Sequence, residues 1–469
     1  MRTVCLTAAL LLSCLGHAQS IADLARKAEA EKDPFSQYET KGSVHNGLVV
    51  VAKPVDVGDG EMLTKFGVVD EQGTTVYIPC EYDRLTPFRE GSGYHDYLYI
   101  AEKNGRKGLV NASNITLLSC DYTDFDEAGN GILRTRKTDK YGYVELQGTG
   151  SATTLIPCVY DHLGGYEPDG PVRATYKGMT GLLDGHNKTV LSFVYDKISD
   201  FQTVGNTRLA WLKREGKYGI CDKDGKIVQA CYIEGAYTMS AQGVASALDY
   251  SSFPAADTHP YVYFKSNGLV GLLSSRTYEV AVPCIYEYLA PVISDKVFYK
   301  VSGKWGIVDV QNRTMQQALY DKVEVGGECL SEKNIPVQLF RKEMRVHADG
   351  KYGMLDKNGQ SLVPVKYDSL GVYSEDRVVA MSNHMYGYVD AQGKEIVPLT
   401  YTYAAEFSEG LAAVRNDKGK YLFIDPSGTV VFGPKSFDTV GKFRDGVCLV
   451  THKDKSWMID RQGKKVKEM

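Results

Sequence analysis

Short apolar runs separated by polar, glycine-containing turns recur along this chain and predict β-strands. In one clear copy, the apolar run at residues 410–415 is followed by the turn Asn416–Gly419 and by a second apolar run at residues 420–425. The turn Asp425–Gly428 then leads into a third run, Thr-Val-Val-Phe, at residues 429–432. Proline and glycine suit such turns, because proline presets φ and glycine accepts a positive φ. The pattern therefore predicts a three-stranded antiparallel meander of roughly 35 residues.

The same unit recurs from near residue 45 to the end of the sequence, with an acidic or related polar residue in one fixed slot. A lone three-stranded sheet cannot bury both of its faces, so the copies must pack on one another. We predict an all-β tandem array of about eleven three-stranded units, propeller-like or open superhelical, and this number exceeds the usual four to eight blades of a propeller. The slot is filled by Asp70, Asn111, Glu145, Asp184, Asp222, Ser274, Asp309, Asp356, Asp390, Asp425 and Asp460.

Residues that recur in fixed slots are predicted to serve the fold. The slot aspartate should cap the tight turn that it begins, through hydrogen bonds to its own backbone. The glycine that follows an aromatic residue, as in Tyr386-Gly387, should allow the close approach of a neighbouring ring or backbone. The tyrosine that closes each unit should pack between neighbouring units with its hydroxyl on a turn, which concerns Tyr82, Tyr160, Tyr286, Tyr367 and Tyr401.

Four cysteines share one slot, two residues before the closing tyrosine. Other copies place Val365 and Leu399 in that slot, so it should be a small, buried, apolar site that a free thiol can fill. An oxidising compartment permits disulfides, but no particular pair is predicted, and no Cys/His spacing of a zinc site occurs. The four are Cys80, Cys120, Cys158 and Cys284.

The N-terminal residues 1–18 match a secretory signal peptide. Arg2 supplies the positive charge, Val4–Leu15 is the apolar run, and Gly16–Ala18 is a small-x-small cleavage pattern. In the alternative interpretation this is a lipoprotein signal that would leave a lipidated Cys14. We expect an exported protein of the periplasm, cell surface or extracellular space, and no later segment predicts a transmembrane helix.

Residues 19–41 are predicted to form a helical leader that covers the open edge of the first unit. The repeat array should then span residues 42–469, with two sub-arrays that meet near residues 250–262. Longer steps between copies predict insertions around Asp249–Pro260 and Gly326–Val337. In repeat arrays such insertions usually emerge on one face, which is often the binding face.

Composition agrees with a folded β-protein and excludes one class of partner. The sequence is 43% apolar and 24% charged, with 47 glycines and 32 tyrosines. Its net charge is -4, whereas binding to phosphate backbones needs a basic field. We therefore expect no nucleic-acid partner.

Three copies carry a resemblance to a known family. The segments Lys304–Asp309 and Lys351–Asp356 and the copy that begins at Tyr386 resemble the WG-repeat (KWG-repeat) family of exported bacterial proteins. Most copies here have Tyr or Phe where the family has Trp. The resemblance implies a β-rich repeat architecture, no assigned enzymatic activity, and a role in binding or assembly.

No arrangement of residues in the sequence predicts a catalytic, cofactor or metal site. The histidines lack the His-x-x-x-His spacing of a zinc helix, and neither a Gly-x-Ser-x-Gly elbow nor a P-loop occurs. Asp222-Lys-Asp-Gly225 resembles the start of a calcium loop, but the later glutamate is absent and a hairpin turn explains it. A carboxylate pair for glycoside hydrolysis stays open, because such residues meet only in space.

Tyrosines outside the fixed slots are the candidates for a binding surface. Tyr presents a large, rigid contact area at low entropic cost, which suits recognition of peptides or sugars. The tentative surface comprises Tyr94, Tyr97, Tyr99, Tyr250 and Tyr261.

These features predict an exported, non-enzymatic binding or scaffold module for an envelope protein, a peptide or a glycan. One alternative is a hydrolase that acts on polysaccharide or peptidoglycan, with its site on the inserted loops. A purely structural envelope component is a third possibility.

Overall fold

The computed structural model describes residues 33–88, 97–168 and 170–469. Apart from a 3-10 helix at Pro34–Gln37, its regular structure is antiparallel β-sheet, which confirms the all-β prediction. In these three ranges no helix has the length and hydropathy to cross a bilayer. The predicted signal peptide, Cys14 and most of the leader lie outside the described residues, and the last two leader residues, Thr40 and Lys41, begin a strand.

The chain divides into two compact units, one that ends at Ile198 and one that begins at Ser199. Residues 250–262, where the sequence predicted a boundary between sub-arrays, lie in the second unit around the connection between two strands of one sheet. The break in the repeat there is therefore an insertion.

The described residues of the first unit contain seventeen strands. They are β1 (Thr40–His45), β2 (Leu48–Asp56), β3 (Met62–Asp70), β4 (Val76–Tyr82), β5 (Arg84–Pro87), β6 (Leu98–Lys103), β7 (Arg106–Asn111), β8 (Thr116–Tyr122), β9 (Asp124–Gly129), β10 (Ile132–Lys137), β11 (Lys140–Gln147), β12 (Ser151–Tyr160), β13 (His162–Leu163), β14 (Val172–Tyr176), β15 (Met179–Leu183), β16 (Thr189–Tyr195) and β17 (Lys197–Ile198).

The second unit continues the same pattern to the last strand. Its first strands are β18 (Gln202–Val204), β19 (Thr207–Arg214), β20 (Lys217–Asp222), β21 (Ile227–Ile233), β22 (Gly235–Met239), β23 (Ala245–Ala247), β24 (Tyr261–Ser266), β25 (Leu269–Ser274), β26 (Val280–Tyr286), β27 (Tyr288–Leu289), β28 (Lys296–Val301), β29 (Lys304–Asp309), β30 (Thr314–Tyr320), β31 (Lys322–Val325) and β32 (Glu328–Cys329). The others are β33 (Met344–Ala348), β34 (Lys351–Leu355), β35 (Ser361–Tyr367), β36 (Ser369–Ser374), β37 (Arg377–Ser382), β38 (Met385–Asp390), β39 (Glu395–Tyr401), β40 (Tyr403–Ala404), β41 (Ala412–Arg415), β42 (Tyr421–Ile424), β43 (Val430–Lys435), β44 (Thr439–Val440), β45 (Val447–His452), β46 (Lys455–Asp460) and β47 (Lys465–Glu468).

These strands form eleven antiparallel sheets in the described part of the chain, most of them with four strands. The sheet β36–β39 is typical: its central hairpin turns through Asn383 and His384, both with positive φ, as a type I′ turn requires. Three of its strands match the predicted meander. The fourth is the strand that opens each sheet, which is only two residues long in β27 and β40 and so leaves no periodic pattern in the sequence.

Within each unit, hydrophobic clusters lie between consecutive sheets. One cluster joins Val379, Tyr388 and Val397 of β37–β39 to Val414 and Ile424 of the next sheet. The central strands are buried on both faces, so they read as apolar runs rather than as strict alternation. Each sheet is therefore stabilised by its neighbours along the chain.

The slot aspartates cap their turns, as predicted. The Asp390 Oδ1 atom accepts hydrogen bonds from the amides of Gln392 and Lys394, both at 2.9 Å. Gly393 closes the turn with a φ of 70° and donates its amide to the Asp390 carbonyl oxygen at 3.0 Å. The same pair of amide bonds occurs at Asp184, Asp222, Asp309, Asp356, Asp425 and Asp460.

The glycine after the aromatic residue faces the cysteine slot. A Cβ atom at Gly142 would lie 2.5 Å from the Ile156 carbonyl oxygen and 2.9 Å from the Cys158 Sγ atom. Contacts this short exclude a side chain at this position. The free thiols of Cys80 and Cys120 sit in the same way, and burial raises the pKa of both, which keeps them in the unreactive thiol form.

The aspartate after the closing tyrosine links one sheet to the next. Asp161 accepts a hydrogen bond from Lys140 Nζ at 2.6 Å within its own repeat unit. Its other carboxylate oxygen accepts the amide of Gly178, at the tip of the next hairpin, at 3.0 Å. The recurring lysine, tyrosine and aspartate are thus used by the fold itself.

Candidate functional site

The predicted tyrosine surface does not form as one patch in the described residues. Tyr94 lies outside them. Tyr97 is 47% exposed just before β6, but Tyr99 is only 2% exposed and packs in the core between two sheets. A buried ring cannot be offered to a ligand, so Tyr99 is a core residue.

The two predicted tyrosines of the second unit are also built into the fold. Tyr250 stacks on Tyr218 with ring centroids 3.5 Å apart, and its hydroxyl oxygen accepts the amide of Ala236 at 2.7 Å. Tyr261 is half-buried at the start of β24 and packs against a core cluster. Tyr250 supports the segment that follows it.

That segment, residues 248–260 between β23 and β24, is hereafter the inserted segment. Side chains of the neighbouring sheet tie it down: Gln202 Nε2 donates to the Ser251 carbonyl oxygen at 2.6 Å, and Trp211 Nε1 donates to that of Ser252 at 3.1 Å. The amide of Phe253 donates in turn to Gln202 Oε1 at 3.2 Å. These bonds hold the inserted segment in one position over the sheet.

Aromatic rings form the floor beneath the inserted segment. Phe253 lies parallel to Trp211, with centroids 5.1 Å apart and an interplanar angle of 9°. Tyr278 meets the ring of Phe253 edge-on at 4.8 Å. Trp211 is buried, whereas Phe253 keeps part of its surface accessible.

A cavity of about 830 Å³ opens beside this floor, where turns from two successive sheets meet the inserted segment. The turns approach closely, because a Cβ atom at Gly205 would lie 3.2 Å from the Arg276 carbonyl oxygen. The volume falls in the range of small-ligand sites, roughly 300–1,000 Å³. The lining comprises Thr203–Thr207, Leu209, Asp222, Lys226, Val228, Phe253–Ala256, Ser275–Thr277 and Glu279.

One wall of the cavity is a turn in which the repeat pattern is broken. Ser274 takes the aspartate slot, and the amide of Tyr278 donates to its carbonyl oxygen at 2.6 Å. Tyr278 is fully buried and adopts a φ of 58°, where regular copies have glycine. The hydroxyls of Ser275 and Tyr278 are buried without a hydrogen-bond partner in the described chain, and burial raises the pKa of Tyr278, so its hydroxyl stays protonated.

The charged side chains that line the cavity do not form ion pairs with one another. In the part of the chain that the structure describes, Lys226, Arg276 and Glu279 form no ion pair. The Asp222 Oδ1 atom caps its turn by accepting the amides of Asp224 and Lys226, at 3.0 and 2.8 Å. Two cations and two carboxylates thus line one cavity.

Two other cavities of the second unit are smaller, and each holds an ion pair. One of about 390 Å³ has Lys442 in contact with Glu406. One of about 290 Å³ has Arg345 in contact with Glu324, beside Lys342 and Glu343, which form no ion pair in the described residues. Charged side chains that already form an ion pair are less available to bind a ligand. The cavity beside Phe253 is therefore the candidate site.

The second predicted insertion, Gly326–Val337, contributes Leu330 to the core. The residues that follow it and lead to β33 bury Leu339 and Phe340. Phe340 stacks on Phe298 with centroids 5.0 Å apart.

Within residues 33–88, 97–168 and 170–469 no group of three or more His, Cys, Asp or Glu side chains could hold a metal ion.

Comparison with protein families settles what kind of repeat this is. A model described as "WG containing repeat" matches residues 66–106, 181–218, 352–383, 386–421 and 423–457. This chain contains WG repeats. The matched WG repeats leave residues 219–351 uncovered, and that stretch holds both insertions and much of the cavity wall.

Solved structures with a similar arrangement are distant. BamB from Moraxella catarrhalis is 14% identical, with 58% of this chain and 84% of that chain covered and a TM-score of 0.22. The extracellular domain of a putative hybrid two-component system from B. thetaiotaomicron is 9% identical, with 90% and 64% covered and a TM-score of 0.30. With TM-scores this low, neither likeness bears on what the WG repeats bind. No match was found among curated protein sequences.

Sequence reasoning missed Phe253, Arg276 and Lys226 as site residues. The signal available was the broken repeat: the inserted segment and the slot serine, Ser274, were both visible in the sequence. That Phe253 would lie on Trp211, some forty positions earlier, depends on how the inserted segment folds back.

Proposed function

We propose that this protein is an exported, non-enzymatic binding module of the cell envelope, which recognises its ligand in the cavity beneath the inserted segment. The observation that carries the proposal is the set of unpaired charges, Lys226, Arg276 and Glu279, beside the accessible ring of Phe253. By contrast, the lysine before the aromatic residue and the aspartate after the closing tyrosine pair with each other, as at Lys140 and Asp161. A cavity that keeps its polar groups available is suited to recognition.

Export is supported by the signal-like pattern of residues 1–18. A non-enzymatic role is supported by the use of Asp222, whose turn-capping bonds match those of Asp356 and Asp460 far from the cavity. A carboxylate that closes a turn is held in place by the fold, which favours a structural role for it over proton transfer.

The test is capture from an envelope fraction of the source organism by immobilised residues 19–469. We expect Lys226→Glu and Arg276→Glu each to lower capture of a defined molecule by about tenfold or more, because each reverses an unpaired charge of the cavity. Both side chains are exposed, so the fold should persist.

The matched control is Lys394→Glu. Lys394 occupies the same slot as Lys226, four residues after the turn aspartate, and is exposed outside the cavity lining. Its capture should equal that of the wild type. Capture that is absent, or that all three variants share with the wild type, would refute the proposal.

A hydrolase is the second candidate, because Asp222 and Glu279 line one cavity. Hydrolysis of polysaccharide needs two carboxylates that flank one glycosidic bond. Release of reducing ends from a captured polysaccharide by the wild type, lost in Glu279→Gln, would favour this candidate over a binding module.

A further inference from the structure

The ring of Phe253 is a fixed surface for a ligand. Trp211 lies parallel to the ring and Tyr278 lies at a steep angle to it, and the half-buried Phe253 side chain lines the cavity. Trp211 and Gln202 donate to the carbonyl oxygens of Ser252 and Ser251, and Gln202 accepts the amide of Phe253, which holds the surrounding backbone in place. A surface held in place before binding loses little entropy when a ligand docks.

Polar groups of several kinds surround this ring. Asn206 and Thr277, both exposed, contribute an amide and a hydroxyl to the lining. Arg276 and Glu279 add a planar donor and a bidentate acceptor. The cavity therefore combines one partly exposed aromatic ring with several donors and acceptors.

The geometry points to a neutral saccharide, including an N-acetylated one, as the ligand of this cavity. A pyranose ring has one face of C–H groups, which the negative face of an aromatic ring attracts, and a rim of hydroxyls that both donate and accept. Paired hydroxyls suit the two-atom groups of Arg276 and Glu279. This inference rests on the proposed binding function and names its ligand class.

The composition of the cavity disfavours the other ligand classes. A peptide that binds by adding a strand needs a long free edge, whereas β18 has only three residues and the longer edge strand β21 contributes only Val228 to the lining. Two cations and two carboxylates give the lining no net charge, which favours neutral sugars over uronic acids. The volume of about 830 Å³ suits a short saccharide.

The experiment is titration of residues 19–469 with neutral hexose, N-acetylhexosamine and uronic-acid oligosaccharides, first on an array and then by calorimetry. We expect a neutral or N-acetylated saccharide to bind, and Phe253→Ala to weaken binding by about tenfold or more. Phe253→Leu keeps an apolar contact with Trp211 but removes the aromatic face, so it should weaken binding as well. Arg276→Ala should also weaken binding, and it leaves the aromatic rings beneath the inserted segment unchanged.

The matched control is Tyr77→Ala, because Tyr77 is an exposed aromatic residue of β4 in the first unit. Its affinity should equal that of the wild type, and thermal unfolding of each variant checks the fold. Uronic acids that bind best, or affinity unchanged in both Phe253 variants and in Arg276→Ala, would overturn the inference.

Failure of the saccharide inference is distinguishable from failure of the proposed function. If no saccharide binds while envelope capture still depends on Lys226, the cavity takes another ligand, and protease-sensitive capture identifies it as a peptide. If capture does not depend on Lys226 and no saccharide binds, both proposals are refuted.

Discussion

At the scale of single residues, the same side chain contributes differently to stability in different copies. The Tyr160 hydroxyl donates to Asn187 Oδ1 at 2.7 Å, and Asn187 lies in the turn of the next sheet with a φ of 67°. The Tyr367 hydroxyl is buried without a hydrogen-bond partner in the described residues. The corresponding turn residue there is Gly393, which has no side chain to accept it. Recurrence of a tyrosine therefore does not imply recurrence of its hydrogen bond.

We predict effects of opposite sign for two identical substitutions. Tyr160→Phe should lower the free energy of unfolding by about 1 kcal/mol, because it removes a hydrogen bond. Tyr367→Phe should raise it by about 1 kcal/mol, because it removes a buried hydroxyl that lacks a partner. Urea unfolding at neutral pH measures both, and equal losses in the two variants would contradict this account.

At the scale of elements, the aspartate-capped turn is the best predicted feature of the chain. The Asp425 Oδ1 atom accepts the amides of Ser427 and Thr429 at 2.9 and 3.0 Å. The side-chain hydrogen bond from Ser427 is the main cause that lowers the pKa of Asp425. All these atoms lie within one short stretch of sequence, which is why the turn could be predicted. The strand that opens each sheet could not be predicted, because only its pairing with the next strand defines it.

We predict that Asp425→Asn weakens the dependence of stability on pH. A carboxyl group whose pKa is lower in the folded chain stabilises the fold above its unfolded pKa of about 3.9, and this contribution is lost as the pH falls toward the folded pKa. Asparagine serves the same slot at Asn416, where its Oδ1 atom accepts the amides of Lys418 and Lys420. The turn should therefore persist without the titration.

Thermal unfolding between about pH 5 and pH 2 measures the effect. The wild type should lose more stability than Asp425→Asn as the pH falls below about 4, and the two should differ little at pH 7. The reciprocal variant, Asn416→Asp, should steepen the pH dependence. Parallel curves for all three proteins would refute a role for the capping carboxylate in acid stability.

At the scale of the whole molecule, much of the stability comes from contacts between sheets that are adjacent in the chain. Leu411, Phe423 and Tyr421 of the sheet β40–β43 share one buried cluster with Phe443 and Val450, which belong to the sheet that follows. In such arrays each sheet contributes its own stability and the energy of its contacts with adjacent copies. Damage to one sheet should therefore stay near that sheet.

We predict that a chain ending at Ser436 loosens only its new last sheet. Its backbone amides in β41–β43 should exchange hydrogen faster than in the full chain, because their apolar cover has been removed. Amides of β10–β12 should keep their protection. Hydrogen exchange with mass spectrometry measures both regions, and faster exchange throughout would contradict nearest-neighbour stabilisation.

The candidate site was predictable in place but not in detail. The long steps between copies located the inserted segment, and Ser274 marked a turn without its aspartate. The sequence suggested Tyr250 as one of five contact residues, whereas Tyr250 stacks on Tyr218 and Phe253 lines the cavity. Which ring faces outward depends on packing between residues far apart in the chain, and no local pattern encodes that.

The self-capped turn also affects how such a chain can evolve. A duplicated copy arrives with the aspartate that closes its own turn, so no second change elsewhere in the gene has to accompany it. Copies can then change one at a time, and a copy without the aspartate, as at Ser274, can hold a longer turn beside a cavity. Selection can therefore act on the number of copies and on the chemistry of the cavity independently of each other.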